Sequence, residues 1–316
     1  MWRTKSLPVR RLEPASTIGV FSPSEPIVSS RIDRFNAGLS MLQRYGFHTK
    51  LSENCLAHSY YMAGSIESRV SDFHQLIGDP EVDALMASWG GKSCNQLIRS
   101  LDYREIRNAQ KPIAGFSDAA VILNAITAKT ELVTFYGPNI VGKLDETSHA
   151  DLDLLIHPAE KGNNLLGQSA PSVAKTICGG KVTGRLLGGN LSTFVLGLMC
   201  FDWPRNFWDD RIFFWEEGSM PPQLIDQYLT ALTNSGLLQR LGGMIVGNFV
   251  FDDPVDWKRE DGLNSLRRIL GDYKFPILYC PTFGHAPLEN PILPIGALCD
   301  LDAEEGTLKL AEEILK

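Results

Sequence analysis

The chain has 316 residues, 44% of them apolar and 21% charged, enough to bury a sizeable core without disulfides or metals. Thirty Lys and Arg against 37 Asp and Glu leave a net charge of −7, and with no basic run this argues against a nucleic-acid partner. No apolar stretch approaches the ~20 residues of a membrane span, and Arg10, Arg11 and Glu13 stand where the apolar part of a signal peptide would be. The expectation is a soluble, cytoplasmic protein with no membrane contact.

Thr17-Ile18-Gly19-Val20-Phe21 predicts a strand, closed by the turn Ser22-Pro23-Ser24-Glu25-Pro26. Residues 30–45 place Ile32, Phe35, Leu39 and Leu42 on one helical face, and Gly46 ends that helix. A strand at 47–51, a helix from about 65 to 77 and a strand at 82–88 follow. The last of these runs into Trp89-Gly90-Gly91-Lys92-Ser93. A strand at 113–116, a helix over 118–129 and a strand at 132–136 complete an alternation that means βαβ units and a mostly parallel sheet.

At roughly 150 residues per domain, this length suggests two domains. A stretch rich in Asp, Ser, Asn, Gly and Pro from 142 to 175 reads as the crossing between them, with some helix near the apolar residues 152–156. Beyond it, apolar β-type runs at 212–215, 243–250 and 276–280 are separated by helices at about 190–200, 222–235 and 258–271. Residues 296–310 read as a terminal hairpin around Glu304-Glu305-Gly306. The predicted class is α/β: an N-terminal parallel-sheet domain over 1–145, a linker over 146–176, and a mixed α/β domain with a β-rich core over 177–316.

The six cysteines form no C-x-x-C pair, and no histidine stands at metal-finger spacing from one. Cys200, Cys280 and Cys299 sit in apolar sequence, as small buried hydrophobes of a reducing compartment do. No two histidines are four residues apart, so the H-E-x-x-H signature is absent. Neither a metal nor a cofactor is expected.

Gly115-Phe116-Ser117-Asp118 places a serine between a buried strand and a helix, where a tight turn exposes the hydroxyl and free N–H groups favour an oxyanion. The tetrapeptide alone equally describes an ordinary helix cap, which is the commoner use of Ser and Asp. Trp89-Gly90-Gly91 also follows a strand, and paired glycines there let a backbone N–H approach a ligand. Phe213-Phe214-Trp215-Glu216-Glu217 ends a strand in two carboxylates; Glu216 could orient an imidazole, while Glu217 reads as the solvated start of a loop. Among six histidines, His285 in Gly284-His285-Ala286-Pro287 is best placed for a cleft. His48, His58, His74, His149 and His157 read as structural or surface residues. Ser117, Glu216 and His285 would together make a nucleophile, an orienting carboxylate and a base. Two rivals compete: a non-catalytic α/β binding module, and a nucleotide-dependent enzyme using Gly90-Gly91 or Gly188-Gly189 for phosphate. Neither glycine pair completes a phosphate-binding pattern.

The same residues, in this order, resemble the serine peptidase family of LD-carboxypeptidases, which includes the microcin C self-immunity peptidases. The resemblance runs from Ile18-Gly19-Val20-Phe21-Ser22-Pro23-Ser24 through Tyr61-Met62-Ala63-Gly64 with Arg69 and Asp72, Trp89-Gly90-Gly91 and Gly115-Phe116-Ser117-Asp118. It continues through Thr134-Phe135-Tyr136-Gly137-Pro138 and Gly184-Arg185-Leu186-Leu187-Gly188-Gly189-Asn190-Leu191 to Glu216 and Gly284-His285. It implies a two-domain cytoplasmic hydrolase, homodimeric and metal-free, with its site in the cleft between domains. Ser117 would be the nucleophile, His285 the base and Glu216 its partner, with backbone N–H groups of Gly91 and Asp118 as oxyanion donors. An acyl-enzyme would form on Ser117 and be hydrolysed. The carboxypeptidase branch usually has an Arg-Gly-Gly-Tyr-Gly run where this chain has Trp89-Gly90-Gly91-Lys92-Ser93-Cys94-Asn95, a shape closer to the immunity branch. Both branches often carry a charge four residues after the catalytic Glu, where this chain has Met220; residues 145–175 show no match to the aromatic specificity loop of the immunity peptidases. The implied substrate is a small peptide or peptidyl-nucleotide: an LD-linked muropeptide, an acyl-sulfamoyl-adenylate or aminoacyl-nucleotide, or another small amide.

Overall fold

The computed structural model describes residues 6–142, 163–218, 220–250, 259–286, 288–289 and 291–316. The helix expected near 152–156, most of the 142–175 crossing, His149, His157 and Pro287 lie outside the described residues. Five parallel strands, β1 (Thr17–Phe21), β2 (His48–Leu51), β3 (Ala84–Ala87), β4 (Ile113–Gly115) and β5 (Thr134–Tyr136), lie in the order β2-β1-β3-β4-β5. β3, β4 and β5 are buried at every residue, as parallel strands covered on both faces must be. The helices α1 (Ile32–Arg44), α2 (Ile66–Gly78), α3 (Tyr103–Ala109) and α4 (Ala120–Thr130) connect them. α1 buries one stripe, Phe35, Gly38, Met41 and Leu42, whereas α4 is buried nearly all round and lies between the two halves of the molecule. The sheet order reverses between β1 and β3, and in open α/β sheets the crevice at such a switch, outside the carboxyl ends of the strands, is where ligands sit.

The second sheet holds β6 (Lys175–Cys178), β7 (Lys181–Asn190), β8 (Ile212–Glu217), β9 (Gly243–Phe249), β10 (Ile277–Gly284), β12 (Leu298–Asp302) and β13 (Thr307–Leu310), in the order β13-β12-β7-β8-β9-β10-β6. β7 to β10 run parallel; β6, β12 and β13 join antiparallel, so this half is mixed and β-rich. The short α5 (Ala170–Val173) precedes β6, while α6 (Leu191–Cys200), α7 (Pro222–Asn234) and α8 (Arg259–Leu270) follow β7, β8 and β9. Between β10 and β12 the chain crosses back, and β11 (Leu293–Ile295) pairs antiparallel with β5 on the edge of the first sheet. The expected terminal hairpin is present as β12–β13. Strands β6, β7 and β11 and helices α3 and α5 were not expected from the sequence. Cys280 and Cys299 are buried, but Cys200 at the end of α6 is only half-buried, and Asn95 Nδ2 donates to its Sγ at 3.6 Å.

One apolar cluster runs from β1, β3 and α4 into Leu186, Phe214, Ile245 and Leu278 of the second sheet, and a second fills the far side of that sheet under α6, α7 and α8. The join also carries polar contacts. Asn124, fully buried in α4, donates from Nδ2 to Gly188 O at 2.7 Å and accepts from Gly188 N at 3.2 Å. Gly188 has φ +139°, and a Cβ there would fall on the carbonyl of Phe214 in β8. Gly188 and Gly189 therefore serve close packing inside a strand, and the phosphate-loop reading of this pair is wrong. Gly188→Ala is expected to destabilise the protein by about 3 kcal/mol or more, because both the conformation and the space exclude a side chain. A shift of the urea unfolding midpoint measures it, and an unchanged midpoint would contradict this packing.

Candidate active site

Ser117 lies two residues beyond β4 with φ +59°, in the left-handed region that a non-glycine residue occupies only when its surroundings hold it there. Neither its side chain nor that of Asp118 caps the following helix, so the ordinary capping reading of this tetrapeptide does not apply. Three groups hold the turn instead. Asn139 clasps Phe116, accepting from its N–H at 2.9 Å and donating to its carbonyl at 3.3 Å. Tyr136 Oη accepts from Ser117 N–H at 3.2 Å. Buried Asp118 reaches back, its Oδ2 accepting from Ser24 Oγ at 2.5 Å, Ser93 N at 2.7 Å and Cys94 N at 2.9 Å.

That last contact ties the loop after β3 to the turn after β4. Arg69, 1% exposed, fastens the loop from its other side, donating to Pro23 O at 2.7 Å, Ser93 Oγ at 3.1 Å and Gln96 Oε1 at 2.6 Å. Gly90 then lies so close to the turn that a Cβ on it would sit 3.2 Å from Ser117 Cβ. The amide N–H groups of Gly91 and Asp118, one from each loop, have no acceptor among the described residues. Donors in that state can receive a developing oxyanion.

Glu216, near the end of β8, has no exposed surface. Its Oε1 accepts from Tyr136 Oη at 2.7 Å and Asn190 Nδ2 at 3.3 Å; its Oε2 accepts from His285 N at 2.8 Å and lies 2.6 Å from His285 Nδ1. A carboxylate can only accept, so Nδ1 carries the proton and the neutral ring keeps its lone pair on Nε2. His285 follows β10, with its ring 5.0 Å from that of Phe116, and Asn248 Nδ2 holds the loop by donating to the carbonyls of His285 and Ala286 at 2.8 and 2.7 Å. Burial pulls the His285 pKa down, but the charge and hydrogen bond of Glu216, with the charge of Glu217, outweigh it, and the net shift is upward from 6.5. Burial also pushes the Tyr136 phenol well above its ordinary value, helped by Glu216, so that it remains a donor.

Ser117, Gly91 and His285 line one cavity of about 320 Å³, with Glu25, Trp89 and Asn139 among its other walls. Ser117 and His285 share no direct hydrogen bond among the described residues; such contacts commonly close only with substrate in place. Glu217 is not solvated as expected: it is 3% exposed and accepts from Asn190 Nδ2, Ser192 N and Gly218 N. Met220 is buried in the outer apolar cluster. His48 and His58 are exposed, and His74 bonds Glu105 and the amide of Asp102. Among the described residues, no group of three or more His, Cys, Asp or Glu side chains could hold a metal ion, and no helix is long and apolar enough to cross a membrane.

Comparison with known proteins matches the N-terminal domain of the LD-carboxypeptidases to residues 18–137 and their C-terminal domain to residues 183–301. The chain belongs to the LD-carboxypeptidase family of serine peptidases. It is 26% identical to the microcin C7 self-immunity protein MccF of Escherichia coli, over 95% of this chain and 94% of that protein. It is 27% identical to the murein tetrapeptide carboxypeptidase of Pseudomonas aeruginosa, over 90% of this chain and 92% of that enzyme. The structure of MccF in complex with glutamyl sulfamoyl guanosine shares the fold with a TM-score of 0.88 and 25% identity, over 98% of this chain and 100% of that one.

Ser117, Glu216 and His285 were singled out in the sequence, whereas the residues that hold them in place were not. Tyr136 and Asn190 were legible only as members of the motifs that carry the resemblance, and Asn139 and Asn248 were not singled out; Asn248, near the end of the expected 243–250 strand, is the one whose position could have found it. Tyr136→Phe removes a donor from a buried carboxylate and the acceptor of Ser117 N–H. It is expected to cost about 1–3 kcal/mol of stability and to raise the His285 pKa further, because Glu216 would then lean more on the imidazole. NMR titration of His285 in wild type and variant measures this, and an unmoved pKa would contradict the network.

Proposed function

We propose that Ser117 is the nucleophile of a serine hydrolase that cleaves an amide bond near the C-terminus of a small peptide-like substrate. His285 Nε2 takes the Ser117 proton as Oγ attacks the carbonyl, Glu216 holds the imidazole in the required tautomer, and the N–H groups of Gly91 and Asp118 receive the oxyanion. His285 then gives the proton to the leaving amine, and water activated by the same histidine releases the acyl group. The observation that carries this reading is the 2.6 Å contact between His285 Nδ1 and buried Glu216, on a ring that shares its cavity with a serine held at positive φ.

Among family activities, the microcin-immunity type is favoured by Trp89-Gly90-Gly91-Lys92-Ser93 and by the likeness to MccF, which has also been solved with aspartyl sulfamoyl adenosine. A strict muramoyltetrapeptide LD-carboxypeptidase is the second reading, supported by the Pseudomonas relative. A homodimer acting in the cytoplasm completes the proposal. Six cysteines without a disulfide fit a reducing compartment, and light scattering tests the dimer.

Hydrolysis of an LD-linked tetrapeptide ending in D-Ala, and of aspartyl sulfamoyl adenosine, is compared between wild type and Ser117→Ala. Turnover of one of them should fall by at least ~10³-fold in the variant; a variant that retains turnover would overturn the assignment. The base must be neutral to act, so kcat/KM should be full at high pH and fall as pH drops through the folded His285 pKa. Since that pKa is raised, the midpoint is expected above 6.5. A midpoint below that value in a pH–rate profile would argue against His285 as the base.

A further inference from the structure

The cavity that holds Ser117 and His285 carries charge that the proposed triad does not use. Arg31 and Arg34 stand one turn apart at the start of α1, with their guanidinium carbons 4.8 and 5.8 Å from the centre of the Trp89 ring. All three residues line the same cavity as Ser117. Arg31 Nη1 donates to Glu25 Oε2 at 3.1 Å and to Pro26 O at 3.4 Å. Arg34 has no carboxylate within ion-pair distance among the described residues. Trp89 precedes Gly90, the residue packed against Ser117.

We propose that Arg31, Arg34 and Trp89 form an anion subsite that receives a negatively charged group of the substrate, a carboxylate or a phosphoryl-like anion. The proposal rests on the hydrolase reading of the same cavity. Two like charges a single turn apart repel each other, and the Trp89 ring face offsets part of that cost by cation–π contact. Contact with the ring still leaves N–H donors at the guanidinium edges, and a planar fork of donors matches a carboxylate in two-point geometry. Glu25 offsets one of the two arginines, which leaves a surplus of one positive charge among the described arginines and carboxylates of this wall, in a chain whose net charge is −7. Such a local inversion of field draws an anionic ligand to this wall.

The test uses two pairs of substrates: the LD-linked tetrapeptide ending in D-Ala against its C-terminal amide, and aspartyl against asparaginyl sulfamoyl adenosine. The first pair reads a terminal carboxylate, the second an acidic side chain. In Arg34→Gln, an exposed substitution, the kcat/KM preference for the acid over its neutral partner is expected to fall about ten- to a hundredfold for one pair, mainly through KM. Arg31→Gln should act in the same direction. If acid and neutral substrates lose equally, or neither preference moves, the subsite is overturned. Calorimetric binding of the same four compounds to Ser117→Ala and to Ser117→Ala with Arg34→Gln separates this from catalysis. If wild type turns over none of them, the hydrolase reading has failed, and the acid-over-neutral binding ratio still decides the subsite: lost with Arg34→Gln it stands, unchanged or absent it falls.

Discussion

A carboxylate with no exposed surface is the constraint around which the two halves of the molecule are arranged. Taking a charge out of water costs several kcal/mol unless every lone pair is met, and breaking a buried pair from one side costs about 3–5 kcal/mol. Glu216 is met from three directions: Tyr136 at the end of β5, Asn190 at the end of β7, and the backbone and ring of His285 after β10. Tyr136 belongs to the first sheet and the other two to the second, so the carboxylate is satisfied only when the sheets are correctly docked. The same phenol accepts from Ser117 N–H. A single line of hydrogen bonds thus runs from the amide of the serine through phenol and carboxylate to the imidazole, and folding and site assembly become one event.

That line is possible because both sheets present the carboxyl ends of their parallel strands to one place. Ser117 follows β4, Tyr136 ends β5, Asn190 ends β7, Glu216 lies near the end of β8 and His285 follows β10. Loops there carry chemistry while the strands behind them carry stability, a division common to open α/β folds. The two sheets come close enough to share the cavity because β7 approaches α4 through Gly188 and Gly189, with Asn124 meeting both the N–H and the carbonyl of Gly188.

The first sheet was legible almost strand for strand, because its members are continuous buried apolar runs separated by helices of ordinary period. β7 was not: Gly184, Gly188 and Gly189 dilute the strand signal, and the reason they are there is close packing against Asp210, Phe214, Ala120 and Tyr136, neighbours distant in sequence that no local window contains. β11 is three residues with Pro294 in the middle, acceptable only because it pairs antiparallel on a sheet edge. Ser117, Glu216 and His285 could be named from strand-end position and the family resemblance. Tyr136 could not, since a tyrosine ending a strand looks like any core aromatic until its hydroxyl is placed. Glu217 was misread for a related reason. In a strand with one wet face its alternation with Glu216 would point it outward, but β8 is buried on both faces and its register shifts between Trp215 and Glu217.

The burial of Glu217 also bears on how a histidine can be both a base and a shelter for positive charge. Its Oε2 accepts from Ser192 N in the first turn of α6, where the helix end favours a negative group, and Asn190 Nδ2 bridges it to Glu216. Burial, together with the neighbouring charge of Glu216, nonetheless raises its pKa, the mark of two carboxylates held side by side. His285 is therefore held by contact with Glu216 and biased by the field of Glu217. When the imidazole takes up a proton, both carboxylates stabilise the cation without moving, because the hydrogen bonds that fix them were formed when the sheets docked. Orientation and electrostatic support thus come from neighbouring residues of one strand with different partners, a separation that neither carboxylate could achieve in open solvent.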